Sequence, residues 1–230
     1  VIELGGGNAP LLRPNVDIEY FLGADGERSV DFVADFNKLP LPIKDQDFDF
    51  VFSKFALEHI SWQNTRAFLS EVRRILAPEG RCVFVVPNVA KQLEWINSHP
   101  DGWDDKPFFE AASEKLFGTQ NYSGNFHCAY LSPETALDLF TAAGFKNILT
   151  SPYGERATDL VIEAQRAEIL ETEAEMLARG VHFSVAHANS KEAHEAHLHL
   201  GKPPEAVESL PEAPRPIPEE MLTTAGRAKV

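Results

Sequence analysis

Three short stretches near the start of the chain hold residue types suited to a ligand. Gly5-Gly6-Gly7 follows the apolar run Val1-Ile2-Glu3-Leu4, and glycines let a backbone pass beneath a ligand that a Cβ would push away. Asp17 lies within a second run, where a carboxylate can accept both hydroxyls of a ribose. Asp35 ends a third run, ahead of Phe36 and Leu39-Pro40, and can accept from an adenine amino group. A glycine turn and two acids at the ends of three successive runs describe a nucleoside pocket. A dinucleotide fingerprint would need a third glycine where Pro10 stands, so a pyrophosphate site is disfavoured.

Two histidines are candidates for proton transfer. His59 sits in Leu57-Glu58-His59-Ile60, and His127 ends the segment Tyr122-Ser123-Gly124-Asn125-Phe126-His127. His182, His187, His194, His197 and His199 form a separate group, with a His-x-x-His-x-His core at 194–199. A zinc site also needs ordered partners behind its ligands, so these histidines read as solvated side chains and no metal is expected.

The elements that must position these residues alternate along the first two-thirds of the chain. Strand-like runs occur at Val1–Leu4, Val16–Tyr20, Val30–Ala34, Phe48–Phe52 and Cys82–Val86, each bounded by Gly, Pro, Asn or Asp. Near-continuous apolar runs suit parallel strands buried on both faces. Ser61 begins a helix carrying Phe68, Leu69, Val72, Ile75 and Leu76 at helical spacing, with Pro78 and Gly80 as its stop. Ser132 and Pro133 begin another, which ends at Gly144. Two more strands follow, at Lys146–Tyr153 and Thr158–Ala164. Seven strands with interleaved helices predict an open α/β sheet, mostly parallel, with helices on both faces.

Residues 88–131 interrupt the repeat and hold Trp95, Trp103, Phe108, Phe109, Tyr122, Phe126 and Tyr130, which predicts a helical insertion after the fifth strand, packed over the sheet's edge. Residues 163–179 read as an acidic helix and 203–218, rich in Pro and Glu, as an extended tail. The expected division is a ligand-binding domain over 1–164, with 88–131 as its acceptor-binding insertion, and a C-terminal segment over 165–230.

Composition excludes several classes. The chain has 230 residues, 43 % hydrophobic and 24 % charged, which is ordinary for a folded domain. Its 21 Lys and Arg against 35 Asp and Glu leave a net charge of −14, which repels a nucleic-acid backbone. No run approaches the length of a membrane span and no leader is seen, so a cytoplasmic protein is expected. The chain opens on Val1 without an initiator Met, which predicts a trimmed start. Cys82 and Cys128 are expected to be reduced thiols.

Taken together, these residues resemble the class I S-adenosylmethionine-dependent methyltransferases, in the broad branch with Glu-x-Gly-x-Gly after the first strand. Val1–Gly7, Val33-Ala34-Asp35, Phe48–Ser53, Leu57–Ile60, Phe68–Arg81 and Val85–Asn88 carry the resemblance, strongly over 1–90 and in outline over 130–164. The resemblance implies a Rossmann-like fold and S-adenosylmethionine as cofactor. Position by position, it implies that Glu3, Gly5 and Gly7, with Gly6, cradle the methionine part, and that Asp17, beside Ile18, holds the ribose. Asp35 and Phe36 would hold the adenine, and Ser53 and Phe55 would close the pocket after the fourth strand. The first helix looks cut short, since little chain separates Gly5 from Asp17, and the usual N-terminal cap over the cofactor is missing from this sequence. The expected reaction is methyl transfer to a small molecule, either a sugar or glycan precursor or an aromatic, polyketide-type ring. Asn88, Trp103, Tyr122, Asn125 and His127 would bind the acceptor, with His127 or His59 as base. A catalytically idle cofactor-binding partner is the alternative. No nucleic acid or membrane partner is expected, and a homodimer is left open.

Overall fold

The apolar runs of the sequence become the strands of one sheet, and the computed structural model describes residues 1–175 apart from Tyr20, Ala24, Ser123 and Glu173. The strands are β1 (Ile2–Leu4), β2 (Asn15–Asp17), β3 (Phe32–Val33), β4 (Phe48–Lys54), β5 (Leu76–Pro87), β6 (Lys146–Tyr153) and β7 (Asp159–Gln165). They lie in the order β3-β2-β1-β4-β5-β7-β6. Neighbours from β3 through β5 pair in parallel, and β7 is inserted antiparallel between β5 and β6. This is a seven-stranded, mostly parallel, Rossmann-like sheet.

The main apolar core lies on one face. Val51 of β4, Phe84 and Val86 of β5 and Leu160 and Ile162 of β7 meet α1 (Trp62–Ile75) and α4 (Pro133–Ala142) there. In α1 the buried residues Thr65, Phe68, Leu69, Val72 and Ile75 recur every three or four positions, which is the stripe a helix must bury. Helix α1 ends at Ile75, ahead of the expected stop at Pro78, because Leu76 already begins β5. Helix α4 starts as its sequence predicts: the Ser132 side chain accepts from the Thr135 N–H, and Thr135 answers to the Ser132 backbone. Phe140 of α4 meets Phe84 edge-on at 5.5 Å, fully buried.

The opposite face carries a smaller cluster of Phe52, Val83, Val85, Tyr153 and Val161. Leu11 and Leu12, from the loop joining β1 to β2, cover it, and no described helix residue belongs to it. No helix forms among the ten residues between β1 and β2, so the loop itself covers this cluster. The insertion is helical, with α2 (Val89–Ser98) and α3 (Phe108–Phe117). The acidic helix expected over 163–179 does not form at its start, since β7 runs to Gln165 and residues 166–172 are irregular. The five histidines at 182–199 and the segment 203–218 lie outside the described residues. Cys82 is buried and Cys128 exposed, both as free thiols.

Replacing Phe140 by Ala removes a ring from the joint between α4 and the sheet. Such a truncation costs about 3–5 kcal/mol, measurable by urea denaturation. A loss below 1 kcal/mol would mean that α4 does not pack as described.

Candidate functional site

Strand order reverses between β1 and β4, since the chain moves outward to β2 and β3 on one side and to β4 and β5 on the other. Open parallel sheets bind ligands beyond the carboxyl ends of their strands at such a point. A cavity of about 610 Å³ opens here. Gly5, Gly6 and Gly7 line it after β1, Asp17 and Ile18 after β2, Asp35 and Phe36 after β3, and Phe55 after β4. Tyr122, Gly124 and Phe126 of the insertion complete its wall.

Local structure explains each placement. Gly5 has φ 79°, and a Cβ there would come within 2.3 Å of the Ala56 Cβ, so this turn admits no side chain. The Gly7 N–H donates to Asp17 Oδ2 at 2.9 Å and the Ile18 N–H to Oδ1 at 2.7 Å. Asp17 is buried, and desolvation raises its pKa against those two hydrogen bonds. Each carboxylate oxygen keeps a further lone pair for a ligand hydroxyl. Asp35 accepts from the Asn37 N–H at 2.9 Å and pairs with Lys38 at 3.2 Å. Phe36 is buried against Phe68, ring centres 5.3 Å apart.

Two of the expected cavity residues lie elsewhere. Glu3 is buried beneath the loop, where its Oε2 accepts the N–H groups of Leu11 and Leu12, both at 2.6 Å. Burial pushes its pKa up to about 7, against the lowering effect of those N–H groups. Ser53 is buried within β4 and does not reach the cavity.

A second cavity of about 440 Å³ adjoins the first, and Phe55, His59 and Tyr122 line both. Trp103, Asn125 and His127 line it as expected; Asn88 does not, because its side chain is the N-cap of α2 and accepts from the Lys91 N–H. Glu58, Arg156 and Asp159 line it too, although the sequence does not single them out. Glu58 could be found only through its neighbour His59, and Arg156 and Asp159 only through the β6–β7 turn that carries them to this edge. Phe55 has φ 54°, a strained conformation for a bulky residue and one that concentrates at functional sites.

The two candidate bases are neighbours, with ring centres 5.2 Å apart. His59 Nδ1 lies 3.0 Å from the Phe126 carbonyl oxygen. That oxygen can only accept, so Nδ1 carries the proton and Nε2 a lone pair. Burial lowers the pKa of His59. Burial, then the nearby His59, lowers that of His127 to about 4. Both rings are therefore neutral near pH 7. Glu58 is buried, and burial raises its pKa to about 8.

Residues 18–84 match a family described as a methyltransferase domain. No curated protein matches the chain. Among solved structures, the CurJ carbon methyltransferase is 19 % identical, with a TM-score of 0.46 over 73 % of this chain and 48 % of that one. An S-adenosylmethionine-dependent methyltransferase of Thermotoga maritima is 18 % identical, with a TM-score of 0.46 over 72 % of this chain and 81 % of that one. Another, from Mesorhizobium loti, is 16 % identical, with a TM-score of 0.46 over 72 % and 89 %. Residues 18–84 are thus similar to a methyltransferase domain, and they run from the end of β2 into β5 of the Rossmann-like sheet described above. No helix among the described residues is long and apolar enough to cross a membrane.

The buried Glu3 gives a pH test of the loop. Its folded pKa of about 7 lies above the ordinary 4.5, so the folded state holds this proton more tightly than the unfolded chain. Its contribution is therefore full below pH 4.5 and is lost as pH rises through about 7. Glu3→Gln has no such proton, so denaturation at pH 5 and pH 8 should show the variant gaining on the wild type at the higher pH. Parallel profiles would mean that Glu3 is not buried as described.

Proposed function

We propose that the larger cavity holds S-adenosylmethionine and the smaller one a hydroxylated small molecule, and that the methyl group passes between them at Phe55, His59 and Tyr122. The observation that carries this reading is the wall of three residues that the two cavities share. Asp17 takes the ribose hydroxyls, the Gly5–Gly7 turn faces the methionine part, and Asp35 and Phe36 flank the adenine. The acceptor cavity mixes Trp103 and Tyr122 with Lys106, Lys115, Arg156 and Asp159. Aromatic faces with charged groups around them suit a sugar or a phenolic ring, polar at its edge and apolar on its face. The chain's charge of −14 speaks against a nucleic-acid acceptor.

The chemistry asks little of the protein. A sulfonium methyl is already electrophilic, so in-line placement of the acceptor oxygen supplies roughly 7–11 kcal/mol of the barrier. The new O–CH3 bond forms as the S–CH3 bond breaks, and the bonding pair stays on sulfur. The hydroxyl proton goes to His59 Nε2, the ring nitrogen that carries the lone pair; such a base contributes roughly 10²–10⁴-fold. His127 is the second candidate, weakened as a base by its lower pKa.

S-adenosylhomocysteine should bind the purified chain, and calorimetry on Asp17→Ala should show it weakened by about 1.5–3 kcal/mol, the loss of a hydrogen-bonded charge. Equal affinity would remove Asp17 from the site. With a panel of sugars and phenols and labelled cofactor, His59→Ala should slow transfer at least 10²-fold, and more than His127→Ala does. The reverse order would make His127 the base.

A further inference from the structure

Glu58, His59 and His127 stand together at the wall between the two cavities, and each offers one ligand atom within 4.8 Å of the other two. We propose that these three side chains form a divalent metal site of the zinc type, with its open positions facing the acceptor cavity. The site rests on geometry alone; its role rests on the methyl-transfer reading above.

Three independent features favour a cation. Glu58 is 2 % exposed, and its Oε2 has no hydrogen-bond partner, an arrangement that leaves a buried acceptor without its usual compensation. Glu58 Oε1 lies 3.9 Å from His59 Nε2, too far for a hydrogen bond and open enough for an ion between them. The other ring nitrogen of His59 is held by the Phe126 carbonyl, as the second nitrogen of a metal-bound imidazole usually is. Tetrahedral zinc with bonds of 2.0–2.2 Å places its ligands about 3.3 Å apart, so the three atoms need close by at most about 1.5 Å. Two imidazoles and one carboxylate make the ligand set of a catalytic ion, which keeps positions free for water or substrate.

In that role the ion would bind the acceptor oxygen and make it easier to ionise, taking over the task assigned above to His59. The hydroxyl proton leaves to water in the open cavity. The metal-held oxygen then forms the O–CH3 bond as the sulfonium becomes a neutral thioether.

The test is zinc chloride titrated calorimetrically into the full chain after chelator treatment. The sequence also holds five histidines at 182–199, which offer zinc other ligands, so a triple variant (His194→Ala, His197→Ala and His199→Ala) is titrated alongside. Wild type and triple variant should each take one tight equivalent. Glu58→Gln, which keeps the side chain's volume, and His127→Ala should each weaken that equivalent at least about 10-fold. Melting curves of the metal-free variants confirm folding, and their affinity for S-adenosylhomocysteine should match the wild type, because both residues line only the smaller cavity. A wild type that takes no tight zinc, or variants that keep it, would overturn the metal site. Failure of S-adenosylhomocysteine to bind the wild type would instead overturn the cofactor reading, whatever the zinc result.

Discussion

Ten residues join β1 to β2 without a helix, so the backbone groups of that loop must find partners among side chains of the strands below. Glu3 Oε2 takes two N–H groups, from Leu11 and Leu12. Asn15 Oδ1 takes the Gly6 N–H at 3.0 Å, and Asp17 Oδ2 that of Gly7. The Ser29 hydroxyl donates to the Gly7 carbonyl at 2.6 Å. These bonds fold the loop back over the sheet, which lets Leu11 and Leu12 cover the second apolar face. They also hold the glycine turn open as the floor of the larger cavity. Removing any of these acceptors leaves a partly buried donor without its protein partner.

The opposite wall comes from the insertion. Gly124 approaches Ile18 so closely that a Cβ would sit 2.7 Å from its Cδ1, and Tyr122 meets Phe21 edge-on at 6.1 Å. The segment around Tyr122 and Phe126 thus covers one side of the larger cavity. The Cys128 N–H donates to the Glu58 carbonyl, and His59 reaches the Phe126 carbonyl, so this wall is tied to the turn after β4. One tie therefore links the cover of the larger cavity, the shared wall and the smaller cavity.

The sheet was largely legible in the sequence because each strand is an apolar run between turn residues, and a run of that kind has few alternatives. Strand order was not legible in those runs, since pairing is decided by contacts far apart in the chain; the antiparallel β7 between β5 and β6 is one instance. The glycine turn, Asp17, Asp35 and Phe55 sit at the ends of strands, where position along the chain and position in the site coincide. Glu3, Ser53 and Asn88 share that sequence signal, yet they point into the loop, the sheet and a helix start. Glu58 is the reverse case. Its neighbour His59 draws attention, but nothing in the sequence shows a buried carboxylate with one oxygen unpartnered beside two imidazoles.

The central claim is that cofactor and acceptor meet at the wall of Phe55, His59 and Tyr122. A crystal structure with S-adenosylhomocysteine soaked in tests it directly. The account predicts ribose hydroxyls on Asp17, adenine between Asp35 and Phe36, and the sulfur facing the smaller cavity beside His59. A ligand lodged among Trp103, Arg156 and Asp159, or a sulfur turned away from that wall, would contradict it.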